Sequence, residues 1–116
     1  MMPDATPLPL DHLAERAGLA GCGDQPALVL RHGTLDHKAL ARRVGELAQW
    51  LIDTLPEPGA RVATWAAKGE LTCLMPLAAA RAGLVHVPIN PLLKRAQVAH
   101  ILADSGAQLL LGTPSR

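Results

Sequence analysis

The chain has 116 residues, 49% of them apolar, and a formal net charge of +1. That length suits one domain or part of one, with apolar side chains enough for a core. Charges of both signs are mixed along it without a basic block, which argues against a dedicated nucleic-acid or anionic-membrane surface.

Trp50 and Trp65 are the sole aromatic residues, since Phe and Tyr are absent. A core must therefore be built from Leu, Ala and Val, whose small side chains require close approach of the elements that carry them. Cys22 and Cys73 stand far apart and form no CxxC pattern, which favours reduced thiols and a cytoplasmic chain. Residues 1–7 lack the basic and apolar regions of a signal peptide. The longest apolar run, residues 71–82, is broken by Thr72, Pro76 and Arg81, too short and interrupted for a membrane span.

In chain order, residues 1–9 read as a proline-rich irregular arm. Residues 11–18 predict a short first helix with Leu10, Leu13 and Ala17 on one face and Gly18 as its stop. Residues 27–31 predict an aliphatic strand, followed by a turn at His32 and Gly33. Asp36 is placed to cap a helix over residues 38–54, where Leu40, Val44, Leu47, Ala48 and Leu51 recur at helical spacing. A complete capping box would need Glu or Gln at position 39, which is Ala39.

Residues 61–67 predict a second strand, with Lys68 and Gly69 as a tight joint. A helix over 71–82 contains Pro76, so it is expected either to kink there or to start late, nearer Cys73. Gly83 is placed as a left-handed stop. Residues 84–89 predict a strand with Pro88 at an edge or at its end. Residues 94–104 predict a helix ended by Ser105 and Gly106, and residues 108–111 a last strand. Aliphatic strands alternating with helices from residue 27 predict an α/β fold: a mostly parallel sheet of about four strands with helices on both faces. Residues 1–26 are then an arm with a short helix, and residues 27–116 the α/β unit.

Few residues suggest chemistry. Lys68 and Gly69 follow a strand and open a helix, where backbone N–H groups and a cation can face an anion. Neither a dinucleotide-binding glycine pattern nor a P-loop accompanies them, so a solvated turn lysine is the simpler reading. The Gly18, Gly21 and Gly23 cluster has the wrong spacing and no preceding strand. The histidines His12, His32, His37, His86 and His100 lack zinc-ligand spacing on any helix. His86 reads as a buried, hydrogen-bonded histidine, and His100 as the partner of Asp104 one turn away. Ser105 and Ser115 have no base beside them in sequence. The expected strand ends Arg31, Ala67, Ile89 and Leu111 offer no aspartate to accept a phosphoryl group. No catalytic, cofactor-binding or metal residue is assigned.

Several runs together resemble the opening of the AMP-forming acyl-CoA synthetase family: Pro26-Ala-Leu-Val, Thr34-Leu-Asp-His-Lys-Ala-Leu, Pro58-Gly-Ala-Arg-Val-Ala, Ala78-Ala-Ala-Arg-Ala-Gly and Val87-Pro-Ile-Asn-Pro. The longer run over residues 88–105 is similar to acyl-CoA ligases associated with exosortase systems. The resemblance covers only that family's first subdomain, from about Pro26 to the end. Departures are Ala39, where the family often has Glu, and Pro76 in the third helix. The family's phosphate loop, nucleotide motifs and catalytic lysine lie downstream and have no counterpart in this sequence. The resemblance implies a parent enzyme that uses ATP and magnesium to turn a carboxylate into an acyl-adenylate, then passes the acyl group to CoA. This chain would be an incomplete subdomain of it, inactive alone, with the remainder of the parent chain as its partner and self-association when separated. The alternatives are a free-standing α/β interaction module and a small nucleotide-binding domain.

Overall fold

The computed structural model describes residues 10–113. A 3₁₀ turn, Leu10–Glu15, leads into the one-turn helix α1, Arg16–Leu19. The elements that follow are β1 (Pro26–Leu30), β2 (Gly33–Asp36), α2 (His37–Thr54), β3 (Arg61–Trp65), α3 (Glu70–Arg81), β4 (Val85–Ile89), α4 (Arg95–Ser105) and β5 (Leu109–Gly112). The proline-rich arm expected at residues 1–9 and the tail at residues 114–116 lie outside the described residues.

Three strands form a parallel sheet in the order β4-β3-β5. Side chains alternate across β3. Val62 packs into a core with Val44, Ala48 and Leu51 of α2 and with Leu74, Met75, Ala78 and Ala79 of α3. Ala63 packs on the other face with Ile89, Val98 of α4 and the half-buried Trp65. The expected α/β class, with helices on both faces of a mostly parallel sheet, is what forms. The larger core is aliphatic throughout, and its largest fully buried side chains are Leu51, Met75, Val44 and Val62. Burying each such side chain contributes about 1.5–3 kcal/mol.

The start of the chain differs from expectation. Residues 33–36, where the sequence predicts a turn at Gly33 and a helix cap at Asp36, form a strand, and β1 pairs with it in an antiparallel hairpin separate from the parallel sheet. The cause is the connection. Only Arg31 and His32 separate β1 from β2, and so short a link joins antiparallel neighbours, whereas parallel ones need a crossover. In the 3₁₀ turn, Ala14 is buried and Leu13 is 42% exposed.

Local signals act where they were expected. Asp36 accepts a hydrogen bond from the backbone N–H of Ala39 at 2.8 Å and caps α2. Gly83 (φ 76°) and Gly106 (φ 70°) take left-handed conformations at the ends of α3 and α4, where a side chain would be strained. Pro88 lies in β4, an edge strand of the sheet.

Helix α3 corrects the late start. It begins at Glu70 and continues through Pro76 to Arg81. Leu74, Met75, Ala78 and Ala79 are buried on both sides of the proline. Pro76 itself is exposed, and Thr72, whose carbonyl loses its donor, is half-buried. Burial of four side chains outweighs a proline penalty of about 3 kcal/mol.

Candidate functional site

Thr64 and Lys68 lie toward the carboxyl end of β3 and just beyond it, the edge where open parallel sheets commonly present ligand crevices, while His86 lies near the start of β4. β3 delivers Thr64 and the joint Ala66, Ala67, Lys68 and Gly69; β4 delivers His86 and Pro88. A crevice of about 450 Å³ lies here, bordered by Thr64, Lys68, Thr72, Pro76, His86 and Pro88. A larger cleft of about 630 Å³ opens on the other side of Lys68, between the β1–β2 turn, Arg43 of α2 and the start of α3.

Thr64 is the buried polar residue of the core, 3% exposed. Its Oγ1 lies 2.8 Å from His86 Nε2, so the hydroxyl is satisfied across the sheet. Burial holds the His86 imidazole below its ordinary pKa of 6.5, which keeps it neutral at pH 7. A hydroxyl beside a neutral imidazole is the first half of a nucleophile–base pair. The second half is missing: among the described residues no carboxylate orients the other ring nitrogen, and Thr64 is nearly closed to solvent. The contact therefore serves to join two strands. Sequence reading anticipated a hydrogen-bonded His86, but not its partner, because residues 64 and 86 meet only once β3 and β4 pair.

The joint at Lys68 and Gly69 is not an open anion seat. The backbone N–H of Gly69 donates to Thr72 Oγ1 at 3.0 Å, and that hydroxyl donates back to the Gly69 carbonyl at 3.0 Å. Glu70 occupies the first turn of α3, where negative charge suits the helix dipole, and pairs with Arg43. Lys68 is exposed.

The other candidates stay apart. His100 and Asp104 both lie on α4 without forming an ion pair among the described residues. Ser105 donates to the Leu102 carbonyl at the end of α4; Ser115 lies outside the described residues. Cys22 and Cys73 are exposed, free thiols. Among the described residues, no three His, Cys, Asp or Glu side chains come together as a metal site, and no helix is long and apolar enough to cross a membrane.

The profile of the family described as AMP-binding enzyme matches residues 14–115. A feruloyl-CoA synthase from Amycolatopsis is 39% identical over 90 residues, which cover 76% of this chain and 18% of that enzyme. An L-proline–[L-prolyl-carrier protein] ligase from Pseudomonas fluorescens is 34% identical over 92 residues, covering 79% of this chain and 18% of that protein. The chain thus spans less than a fifth of the length of these relatives. Among solved structures, a benzoate CoA ligase from Burkholderia xenovorans superposes with a TM-score of 0.85 at 20% identity, over 94% of this chain and 22% of that one. The NpsA N-terminal subdomain from Klebsiella oxytoca, in complex with anthranilyl-AMSN, superposes at 0.75 with 22% identity, over 87% of this chain and 25% of that one. These two likenesses concern the fold; the profile match, which runs through nearly every element described above, shows that the chain belongs to the AMP-binding enzyme family.

Proposed function

We propose that this chain is the N-terminal subdomain of an enzyme that activates a carboxylate with ATP and passes it to a thiol, and that the subdomain scaffolds this reaction without catalysing it. The observation that carries the reading is the profile match over residues 14–115, set against relatives of which this chain spans 18%. Those relatives include a CoA ligase and carrier-protein ligases, so CoA and a carrier-protein thiol are both acceptors in keeping with it. The exosortase-associated subfamily rests on the resemblance of residues 88–105 alone.

The described residues do not fit ATP with magnesium. Magnesium would need carboxylates to hold it, and Glu70, the one carboxylate bordering either crevice, is paired with Arg43. A polyphosphate would need free donors, and the first turn of α3 is taken up by Thr72 and Glu70. No step of the reaction is assigned to this chain. Its expected partner is the rest of a longer polypeptide. Exposed Leu19, Val29 and Leu92, at 87%, 77% and 80%, support self-association when it is separated, and also support the second reading of an interaction module. The exposed free thiols support a cytoplasmic location.

The test has two parts. Acyl-dependent ATP–pyrophosphate exchange by this chain, with aryl and fatty carboxylates, is expected at background; turnover, or tight ATP binding by calorimetry, overturns the scaffold reading. The mass of the native species in its source cells, detected with an antibody against this chain, is expected to be several times larger. A species of this size alone would favour the interaction module.

A further inference from the structure

We infer that the cleft between the β1–β2 turn and the β3–α3 joint is a docking site for an extended acidic polypeptide segment. The cleft, about 630 Å³, is bordered by Arg31 and His32 on one bank, by Lys68 on the other and by Arg43 of α2, with a single carboxylate, Glu70. The three cations against Glu70 leave a formal charge of +2, more than the +1 of the whole chain. The depression therefore carries a local excess of positive charge.

The pairing pattern sharpens the point. Lys38 is held by Asp24 at 2.8 Å and Arg81 by Glu15 at 2.7 Å. Arg43 is held by Glu70. Among the described residues, Arg31 and Lys68 have no such carboxylate, a property they share with Arg16, Arg42, Arg61, Lys94 and Arg95, none of which lines the cleft. Both are exposed on elements that their neighbours fix in place: Arg31 in the two-residue link of a hairpin, Lys68 between the central strand and its following helix.

The arrangement suits a chain rather than a small anion. A phosphate or carboxylate ion wants donors that converge on one point. Here the cations sit on separate elements, the Gly69 N–H is already spent on Thr72, and the half-buried Leu30, Leu35 and Ala67 put apolar surface between the banks. β2 pairs with β1 alone, so its outer edge offers main-chain groups to an extended segment. The matching occupant alternates carboxylates, for Arg31 and Lys68, with apolar side chains for the floor. This inference does not depend on the ligase reading.

The probe is a fluorescein-labelled peptide of about twelve residues, alternating Glu or Asp with Leu, titrated with the 116-residue chain and read by fluorescence anisotropy. Saturable binding is expected, weakened at least about tenfold by the double variant Arg31→Glu/Lys68→Glu. Raising salt is expected to weaken it too, since exposed charges are screened. The control Lys94→Glu/Arg95→Glu makes the same change in net charge at residues that do not line the cleft and is expected to stay within about twofold of the parent. Absence of saturable binding overturns the proposal, as does equal weakening by the two double variants. So does binding of phosphatidylserine vesicles, but not the peptide, that depends on Arg31 and Lys68. If circular dichroism shows the Glu double variant unfolded, Arg31→Gln/Lys68→Gln carries the test, with an expected loss of about threefold.

Discussion

Thr64 Oγ1 and His86 Nε2 lie 2.8 Å apart, although neither residue is the other's partner in the sheet register. Thr64 pairs with Pro88 and His86 with Val62. The contact runs diagonally between the central strand and its edge neighbour, on the face that also carries Val62. It is a polar tie between strands at the border of an apolar core.

This tie predicts an acid-sensitive sheet. Burial lowers the folded pKa of His86 below 6.5, so between the folded and unfolded values the unfolded state binds more protons. Its contribution is full above about pH 6.5 and is lost as pH falls toward the folded value. Thermal unfolding midpoints of the parent chain and of His86→Gln, measured from pH 8 to pH 5, are expected to converge in acid. A parent-to-variant difference that stays constant with pH would remove His86 from the account.

Leu51 and Ile52 are neighbours in α2 with opposite environments, 0% and 40% exposed. Leu51→Ala removes contacts from a fully packed site and is expected to cost about 2–5 kcal/mol. Ile52→Ala is expected to cost about 1 kcal/mol or less. Urea unfolding of both variants measures the contrast.

The Asp36 cap gives a local test. Asp36→Ala removes the acceptor for the Ala39 N–H and is expected to cost about 0.5–2 kcal/mol, with Asp36→Asn close to the parent. Equal losses for the two substitutions would show that the carboxylate charge, rather than the hydrogen bond, is what matters.

Pro76 is the least favourable residue within a helix of this chain. Pro76→Ala restores a backbone donor inside α3, a gain of up to about 3 kcal/mol. Greater freedom of the unfolded chain takes back about 0.4–1 kcal/mol. A net stabilisation is expected in denaturant unfolding. A loss instead would mean that the proline ring packs in the crevice it borders with His86 and Pro88.

What the sequence determined by itself was whatever depends on near neighbours. The stripe of Val44, Ala48 and Leu51 marks α2 because residues three or four apart share one face of a helix. Asp36, Gly83 and Gly106 mark helix ends because capping and left-handed stops involve only adjacent turns. The alternation of strands and helices was enough for the α/β class, and the motif ensemble for the family. Tertiary structure alone decided what competes across distance. It kept the β1–β2 hairpin, whose two-residue link is itself local, out of the parallel sheet. Helix α3 ran through Pro76, because burial on both sides of it outweighs one missing hydrogen bond. Thr64 met His86 and Arg43 met Glu70 only after strands and helices had packed, since residues 22 and 27 positions apart have no local reason to touch.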